Sequence, residues 1–346
     1  MRILRTILVL SMVFAASSYC RSGEANDSSS KYVSMLTFGD VNLGRHVGKM
    51  LLQGDTLYPF RRIRQIFSTT DIVFINLESQ LSDQHGETQS QKNNLIFTGP
   101  PQGGASLAQA GINIVSTANN HSYDYGFRGL KETIANLDSS RIWHVGTAID
   151  SSRRYSPLIR QISGISFAFF AVTELMNSSC CEWKPYIALA DSGKLFPEIR
   201  AIRDSVDVVV VSYHGDEEYK DKPTARQKRF FHQLVESGVN IVLGHHSHVL
   251  QGIEAYKGGW CVYSLGNFVF SQPKRKWTRL SAGIRWMFEK YEGKVYIRSV
   301  TIIPIMAGFQ PSESTDARER KEILDRVHRL SNIRFPWSYS DSLHID

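Results

Sequence analysis

Five short apolar runs in this chain each lead into residues that can bind a metal ion. The runs are 35–38, 72–75, 112–115, 208–211 and 239–243, and they lead into Asp40, Glu78, 119–121, His214 and 244–248, respectively. Short apolar runs rich in β-branched residues are typical of buried strands. Open α/β sheets build their sites at the carboxyl ends of strands. We therefore expect these side chains to share one site, and the pattern favours a metalloenzyme with an α/β fold.

Helical stretches alternate with these runs between about 33 and 270, as in layered α/β folds. Residues 126–137 carry apolar side chains at helical spacing. Residues 224–237 are a stronger helix prediction, because Thr224 and Gln227 have capping-box spacing. The segment 99–104 is rich in glycine and proline and is predicted to be a turn. Further strands are predicted at 260–264 and 296–305, and a charged helix at 315–330.

Size and charge exclude some classes of partner. The chain has 346 residues, of which 42% are hydrophobic, so it can bury a large core. Its 40 basic and 33 acidic residues give a net charge of +7. The basic residues are scattered and are not gathered with aromatics on one face, so no nucleic acid is expected as a partner. A basic rim would instead attract an anionic substrate.

The first residues have the layout of a secretory signal peptide. Arg2 and Arg5 precede the uncharged apolar stretch 6–16, and small residues follow. A membrane span needs about 20 apolar residues, so this stretch is short for one. We expect an exported protein that is periplasmic or associated with the cell envelope. Lipidation at Cys20 and an uncleaved N-terminal anchor stay open. The expected segments are a signal peptide (1–20), a flexible tether (21–32), the main domain (33–310) and a helical C-terminal extension (311–346).

Export would place the remaining cysteines in an oxidising compartment. Adjacent cysteines such as Cys180 and Cys181 rarely bond each other, because the geometry is strained. A bridge from one of them to Cys261 is therefore a candidate. The chain contains no C-x-x-C pair, so a cysteine-based zinc site is not indicated.

The segment 244–248 contains three histidines just past a strand. Imidazole is a suitable ligand for Mn, Fe or Zn. In an extended loop His246 and His248 would point the same way and reach one metal cluster, whereas His245 would point away and be structural. The alternative is a loop of surface histidines. His214, after a valine run, is also assigned to metal, and Glu218 nearby either supports the site or is solvated.

The two carboxylates and the Asn-Asn-His segment complete the candidate site. Asp40 and Glu78 would hold two cations about 3.5–4 Å apart, as in many phosphate-ester hydrolases. Asn120 offers an amide oxygen, and His121 could donate a proton to a leaving oxygen. Asp124 could orient that imidazole. Each has a simpler alternative in a turn or at a helix start. The chain has neither a G-x-S-x-G elbow nor a P-loop.

Five ordered motifs resemble one protein family. They are Gly39-Asp40, Asn76-Leu77-Glu78, Ala118-Asn119-Asn120-His121-Ser122-Tyr123-Asp124-Tyr125-Gly126, Gly244-His245-His246-Ser247-His248-Val249-Leu250-Gln251 and Tyr263-Ser264-Leu265-Gly266-Asn267-Phe268. Over about 33–270 the chain resembles the bacterial capsule-synthesis family of CapA type, which is linked to poly-γ-glutamate capsules. The resemblance implies a calcineurin-like metallophosphoesterase fold. This is an α/β four-layer sandwich of two mixed sheets flanked by helices, with a two-metal centre.

The resemblance also implies roles for individual residues. The positions that match metal ligands are Asp40, Glu78, Asn120, His214, His246 and His248, and the proton donor is His121. The implied cofactors are two divalent ions, Mn, Zn or Fe. The chain departs from the pattern at Asn42, where classical phosphoesterases have histidine, and at 214–216, where the family commonly has His-Trp-Gly. Supporting or undecided roles go to Asn42, Asn119, Glu218, His245 and Asn267.

These observations leave three functions open. The first is an exported hydrolase for a phosphoester or related bond. The second is an envelope assembly or polymer-handling subunit that keeps the fold and works through membrane-bound capsule-synthesis partners. The third is an amide hydrolase acting on γ-linked glutamate at the same site. The expected substrate is an anionic polymer or a phosphoester.

Overall fold

The structure is a computed structural model that describes residues 30–178, 180–333 and the strand Leu343–Ile345. The predicted signal peptide, Cys20 and residues 21–29 of the predicted tether lie outside the described residues. The first strand begins at Lys31, so the last two tether residues belong to the domain. Within the described part of the chain, the helices are too short or too polar to span a bilayer.

Strands and helices alternate through most of the chain. The strands are β1 (Lys31–Val41), β2 (Ile72–Leu77), β3 (Gln80–Leu81), β4 (Thr98–Gly99), β5 (Ile114–Ser116), β6 (Trp143–Val145), β7 (Leu158–Ile162), β8 (Ile165–Thr173), β9 (Val208–His214), β10 (Ile241–His245), β11 (Ile253–Tyr256), β12 (Gly259–Val262), β13 (Asn267–Val269), β14 (Leu280–Tyr291), β15 (Lys294–Met306), β16 (Ser312–Glu313) and β17 (Leu343–Ile345). The helices are α1 (Arg45–Leu52), α2 (Gln102–Ala110), α3 (Gly126–Ser139), α4 (Ser192–Ile202), α5 (Ala225–Glu236) and α6 (Ala317–Leu330).

Most of these strands form two mixed sheets. The first has nine strands in the order β16-β15-β14-β1-β2-β5-β6, with β13 added beside β1 and β17 beside β15. The second has six strands in the order β11-β12-β10-β9-β8-β7. The central strands are parallel in both sheets: β1, β2, β5 and β6 in the first, and β8, β9, β10 and β12 in the second. The carboxyl ends of the parallel strands therefore meet at one edge of each sheet.

The two sheets pack face to face between two helical layers. Phe74 of β2 stacks on Phe169 of β8 at a ring-centre distance of 5.9 Å, inside an apolar cluster drawn from both sheets. A second cluster joins the outer face of the first sheet to α1, α2 and α3, and a third joins the outer face of the second sheet to α4 and α5. This arrangement confirms the predicted α/β four-layer sandwich.

Local sequence patterns located several elements well. The structure contains the helix predicted at 126–137 as α3 and the helix predicted at 224–237 as α5. The Thr224 hydroxyl caps α5 by accepting from the Gln227 amide at 3.2 Å, but the Gln227 side chain donates instead to the Tyr263 carbonyl. The predicted capping box is therefore only half formed.

The prediction of a turn at 99–104 is wrong. Helix α2 begins at Gln102, directly after Pro100 and Pro101. Proline is tolerated at a helix start because its missing N–H would have no intrahelical partner there. A Cβ atom on Gly104 would lie 2.6 Å from the Asn136 carbonyl oxygen, so glycine lets α2 pack directly on α3. Tertiary packing thus offsets the poor helix propensity of the glycines.

The C-terminal extension is part of the sandwich. The charged helix predicted at 315–330 is present as α6, but its Ile323 and Val327 are buried in the cluster between the sheets. Strands β16 and β17 add to the first sheet through β15. The predicted C-terminal helical extension thus contributes α6, β16 and β17 to the sandwich, and the domain boundary at 310 stays a prediction.

The candidate disulfide is absent from the structure. Cys180 and Cys181 are free and exposed in the loop after β8, whereas Cys261 is free and buried in β12. Cys261 belongs to the apolar cluster beneath α5. A bridge would require this thiol to leave the core, and burial raises its pKa to about 12, so it stays protonated.

Candidate metal centre

The strand ends bring the six predicted ligands together. Asp40 and Glu78 come from β1 and the end of β2 in the first sheet, while His214 ends β9 in the second. His246 and His248 follow β10, and Asn120 follows β5. All six side chains are buried. The strands come from both sheets, and the site lies where the two edges meet.

Glu78 lies at the middle of the group. Both of its carboxylate oxygens are buried and have no hydrogen-bond partner among the described residues. Its Oε1 lies 3.7 Å from His214 Nε2, 3.9 Å from His248 Nε2 and 3.9 Å from His121 Nε2. Burial raises the pKa of Glu78 well above its usual value, and the charge of Asp40 adds to this effect. A buried carboxylate without a partner is costly unless a cation compensates it.

Asp40 is held by neighbours on both oxygens. Its Oδ1 accepts from Asn76 Nδ2 at 2.9 Å and lies 3.4 Å from His245 Nδ1. Its Oδ2 lies 3.3 Å from His248 Nδ1. Burial alone would raise the pKa of Asp40, but hydrogen bonds and charge from His245 and His248 outweigh it, so the pKa lies well below its usual value. Asp40 therefore remains an anion inside the protein.

Asn267 determines which nitrogen of His248 is available. The Asn267 Nδ2 group donates to Gln272 Oε1 at 3.1 Å and to the Thr278 carbonyl at 3.0 Å. Its Oδ1 therefore faces His248 Nδ1, at 2.9 Å, as an acceptor. This bond places a proton on Nδ1 and leaves Nε2 to coordinate a metal, as partners of metal-bound histidines commonly do.

His214 and His246 form the less charged side of the group. His214 Nε2 lies 2.7 Å from Asn120 Oδ1, and its Nδ1 lies 3.0 Å from Asn76 Nδ2. Burial, followed by the charge of His246, holds the pKa of His214 well below its usual value. Burial, followed by His248, lowers the pKa of His246 to about 4. Both imidazoles are therefore neutral at neutral pH, as metal ligands must be.

The loop after β10 brings its histidines together, but not in the extended conformation that was expected. His246 and His248 have positive φ angles of 86° and 58°, so the loop is not extended. Their rings lie 5.9 Å apart. His245 Nδ1 lies 3.4 Å from Asp40 Oδ1, and among the described residues His245 belongs to none of the groups that could hold a metal ion, so its structural role stays a prediction. Gly244, just before, packs against the Tyr263 carbonyl so closely that a Cβ would overlap it.

His121 lies beside the ligands in a fixed orientation. Its Nδ1 lies 2.8 Å from Asp124 Oδ2, which also accepts from the Phe97 amide at 3.0 Å. The Phe97 ring packs against the imidazole at 4.1 Å between ring centres. The opposite nitrogen, Nε2, faces Glu78. An imidazole placed in this way can exchange a proton at Nε2 while Asp124 supports Nδ1.

The residues with undecided roles separate into three kinds. Asn42 turns away from the ligands, since its Oδ1 accepts from the Gly44 amide at 2.8 Å. Asn119 supports the centre by donating to the Leu77 carbonyl at 2.8 Å and accepting from the His121 amide at 3.1 Å. Glu218 is exposed, yet one of its oxygens lies within 4.8 Å of ring nitrogens of His246 and His248, as a ligand would.

Two supporting residues were missed by the sequence analysis. Asn76 bridges Asp40 and His214 through its Nδ2 group. A signal for it existed, because residues two apart in an extended segment point the same way and Glu78 follows two positions later. Asn177 lies in the loop after β8 and donates from its amide to the Asn120 carbonyl at 3.2 Å. Its position depends on a distant contact that has no local signal.

The donor set fits divalent cations. Three groups of side chains each place ligand atoms within 4.8 Å of one another. The groups are Glu78 with His214 and His246, Asp40 with Glu78 and His248, and Glu218 with His246 and His248. Carboxylate and imidazole ligands suit Mn, Fe and Zn. The unpartnered oxygens of Glu78 are the clearest sign that the group accommodates positive charge.

Curated relatives cover most of the chain. The chain is 28% identical over 317 residues to the capsule biosynthesis protein CapA of Bacillus anthracis, and the match covers 89% of this chain and 76% of that protein. It is also 28% identical over 342 residues to the PGA biosynthesis protein CapA of Bacillus subtilis strain 168, covering 97% and 87%.

The chain is also similar to solved structures at low sequence identity. A Staphylococcus aureus protein provisionally assigned as a 5′-nucleotidase, crystallised with alpha-ketoglutarate, is 13% identical with a TM-score of 0.50, covering 85% of this chain and 58% of that one. The calcineurin-like phosphoesterase YfkN of Bacillus subtilis is 14% identical with a TM-score of 0.45, covering 87% and 98%. A family model described as "Bacterial capsule synthesis protein PGA_cap" matches residues 34–272. That match spans more than half of the chain and includes every ligand position described above, so the chain belongs to the bacterial capsule synthesis protein family PGA_cap.

Proposed function

We propose that this protein is an exported, metal-dependent hydrolase that acts on a phosphoester or a related bond in capsule synthesis. One observation carries the proposal. Glu78 is fully buried with two unpartnered oxygens, and three imidazole Nε2 atoms lie within 3.9 Å of its Oε1. A folded protein tolerates such a cost where function requires it.

The ligand groups support a centre with two cations, either Mn, Zn or Fe. Glu78 belongs to two of the three groups, so its carboxylate would be shared. One position would be held by Glu78, His214 and His246, with Asn120 beside them. The other would be held by Asp40, Glu78 and His248. When bound, such cations activate water and stabilise negative charge on the substrate.

His121 would serve as the proton donor in this reaction. Its Nε2 faces the ligand group, while Asp124 accepts from Nδ1 and would stabilise the protonated ring. Phe97 covers the ring and excludes water from one side. A proton delivered from Nε2 would let the leaving oxygen depart as a hydroxyl group.

Turnover and metal content test the proposal together. The full chain is purified, loaded with Mn²⁺, Zn²⁺ or Fe²⁺, and assayed on generic phosphate monoesters and diesters. We expect metal-dependent turnover that falls at least about a hundredfold in His246→Ala. His144→Ala, which alters a histidine outside the centre, is the matched control. Absence of turnover with every metal would contradict the catalytic proposal.

The names of the relatives favour a second candidate. Both CapA relatives are described by biosynthesis, not hydrolysis. The protein could therefore handle or attach the polymer through membrane-bound partners while keeping the metal site. Bound metal without turnover on phosphoesters or on γ-linked glutamate oligomers, together with co-purification of membrane proteins, would support this candidate. Turnover on the oligomers alone would identify an amide hydrolase.

Export is tested separately. We propose that residues 1–20 direct the chain out of the cytoplasm. Cell fractionation of the full chain, compared with a chain lacking residues 1–20, should place only the former in the envelope or periplasm. Equal distribution of the two would contradict this part of the proposal.

A further inference from the structure

Glu218 places a carboxylate at the solvent side of the candidate metal centre, where the two cation positions described above do not use it. One of its oxygens lies within 4.8 Å of a ring nitrogen of His246 and of one of His248. The two rings belong to different ligand groups, His246 to the group with His214 and His248 to the group with Asp40. Glu218 is exposed, whereas both neighbouring histidines are buried. Its carboxylate therefore reaches the ligands from outside the core.

The two cation positions differ in their number of donors. The position that contains His214 has a group of three donors and also the amide oxygen of Asn120, which lies 2.7 Å from His214 Nε2. The position that contains His248 has three donors among the described residues, because Asn42 turns its side-chain oxygen to the Gly44 amide. Structural zinc sites have four ligands, and octahedral manganese sites have six. The His248 position is thus one protein donor short of the other.

The backbone that follows Glu218 is tied to the loop that carries the histidines. The Tyr219 amide donates at 2.8 Å to the carbonyl of Ser247, the residue between the two histidines. The next carbonyl, that of Lys220, accepts from Gln251 Nε2 at 3.0 Å. Glu218 is therefore held in front of both rings by its neighbours in the chain.

The side chain of Tyr219 fixes the same loop through a second set of contacts. Its hydroxyl accepts from Gln272 Nε2 at 3.2 Å, and Gln272 Oε1 accepts from Asn267, the residue that orients His248. The φ angle of Tyr219 is +61°, in the left-handed region. Strained residues of this kind persist where their surroundings fix them, and they cluster at functional sites. One set of contacts thus positions both Glu218 and His248.

The preceding residue, Glu217, shows how a solvated carboxylate of this loop behaves. Its side chain is 57% exposed and lies 3.5 Å from Lys220 Nζ. Glu218 has no lysine or arginine partner within the part of the chain that the structure describes, and it faces two imidazoles instead. Adjacent glutamates of equal charge therefore have different surroundings, and Glu217 provides a matched comparison.

We propose that Glu218 is the fourth protein ligand of the cation held by Asp40, Glu78 and His248, in place of the donor that Asn42 does not supply. The inference rests on the metal centre of the proposed function. Carboxylate oxygens bind manganese well, and zinc also accepts them. Because Glu218 is exposed, the cation that it binds would be the one that a chelator removes first.

Metal titration without substrate tests this assignment. The full chain is stripped of metal and titrated with Mn²⁺ by calorimetry, and bound Mn²⁺ is counted by elemental analysis after dialysis. We expect the wild type to hold two cations per chain. Glu218→Gln should keep one at unchanged affinity and bind the second at least about tenfold more weakly, since groups that merely orient ligands are already worth about 10–100-fold. Glu217→Gln, which removes the same charge one residue away, should stay within about twofold of the wild type.

Electron paramagnetic resonance of the Mn²⁺-loaded proteins supplies a second readout. Two cations about 3.5–4 Å apart couple magnetically, so the wild type and Glu217→Gln should give a coupled signal that Glu218→Gln lacks. Thermal melting of the metal-free variants checks that they fold.

Three results would overturn the assignment. The first is a Glu218→Gln protein that binds its cations with wild-type number, affinity and signal. The second is equal weakening in Glu217→Gln, because charge and not coordination would then explain the loss. The third is equal weakening at both cation positions. A protein that passes this test but hydrolyses nothing contradicts the proposed function alone, and a hydrolase whose cations ignore Glu218→Gln contradicts this inference alone.

Discussion

Two regions of the molecule are built from the same strands: the apolar layer between the two sheets, and the metal centre at the strand ends. They differ in the hydrogen bonding of their buried polar atoms. In the layer, Phe74 stacks on Phe169, and the buried Trp286 indole donates to the Thr37 hydroxyl at 3.1 Å. In the centre, both Glu78 oxygens and one nitrogen of His246 are buried without a partner. The layer therefore contributes stability, while the centre lowers it in the absence of a cation.

Electrostatics sharpen the same contrast. Asp40 and His248 compensate each other, because the carboxylate raises the pKa of His248 and the two histidines beside Asp40 lower its pKa. Glu78 has no such partner, and its pKa is raised. Removing a side chain from the layer should therefore lower the free energy of unfolding, whereas replacing Glu78 with an uncharged side chain should raise it.

The largest expected effect is in the apolar layer. Phe169→Ala leaves a cavity against Phe74, so we expect the free energy of unfolding to fall by about 3–5 kcal/mol. Chemical denaturation measures this loss, and metal content should not change. The matched control is Phe309→Ala at a side chain that is 40% exposed, with an expected change of about 0.5 kcal/mol or less. Equal losses in the two variants would show that the layer is not the stabilising region.

The next effect has the opposite sign. Glu78→Gln should stabilise the metal-free protein by about 1–3 kcal/mol at neutral pH, since folding of the wild type must either bury an unpaired charge or take up a proton to neutralise it. Because the native pKa of Glu78 is raised, the native state keeps a proton that the unfolded state loses, so wild-type stability falls as pH rises between the two pKa values. Melting temperatures across pH measure this slope, which the variant should lack.

Metal dependence supplies the second half of that test. The wild-type melting temperature should rise on adding Mn²⁺ or Zn²⁺, because ligands that bind only the native state stabilise it. Glu78→Gln should lose most of this rise, while Glu198→Gln on the exposed face of α4 should keep it. A destabilised Glu78→Gln that still responds fully to metal would reverse the proposed role of Glu78.

The contrast also explains what sequence reasoning could predict about the fold. Each of the five apolar runs contains strand residues, although β5 begins only at Ile114 and β10 only at Ile241, because buried strands have a local apolar pattern. The assignment of β1 and β2 to one sheet and β9 and β10 to another depends on distant pairings, such as that of β1 with β14. Strand β14 itself was missed, since no local signal shows that its partner lies near the start of the chain.

The same distinction between local patterns and distant contacts applies to the residues of the candidate site. The side chains of Asp40, Glu78 and His214 were predicted from their positions after strands, and the structure places them together. The orientation of 245–248 could not be predicted, because it depends on positive φ angles that non-glycine residues rarely adopt. The roles of all these residues in metal binding stay predictions until the metal is measured.

Asn267→Ala should have a smaller effect, confined to the metal centre. Loss of the Asn267 acceptor would leave His248 Nδ1–H with only Asp40 Oδ2, at 3.3 Å, so the imidazole would be held less firmly in its orientation and tautomer. We expect metal affinity to fall about 10–100-fold, as for other partners of metal-bound histidines. Isothermal titration with Zn²⁺ measures it. Gln272→Ala, which removes a bond from the other end of the same amide, is the control and should change affinity much less. Equal losses would assign the effect to loop packing and not to the His248 tautomer.

The smallest expected effect lies at an ion pair that links the sheets outside both regions. Asp207, just before β9, accepts from the Ser166 amide at 2.8 Å and from Lys290 of β14 at 2.9 Å. Burial alone would raise the pKa of Asp207, but these bonds outweigh the effect of burial, so the pKa lies below its usual value. The stabilisation is therefore present above the unfolded pKa of about 4 and is lost as pH falls through the lower native value.

Asp207→Asn should accordingly lower the free energy of unfolding by about 1 kcal/mol at neutral pH, because the pair is partly exposed. The difference from wild type should shrink steadily as the medium becomes acidic, since wild-type Asp207 is then protonated too. Denaturation at several pH values measures it, with Asp204→Asn as the control, because that side chain is 93% exposed. A difference in stability that persists in acid would mean that hydrogen bonds of the neutral Asp207 side chain, and not its charge, join the sheets here. This link would then resemble the apolar layer more than the metal centre.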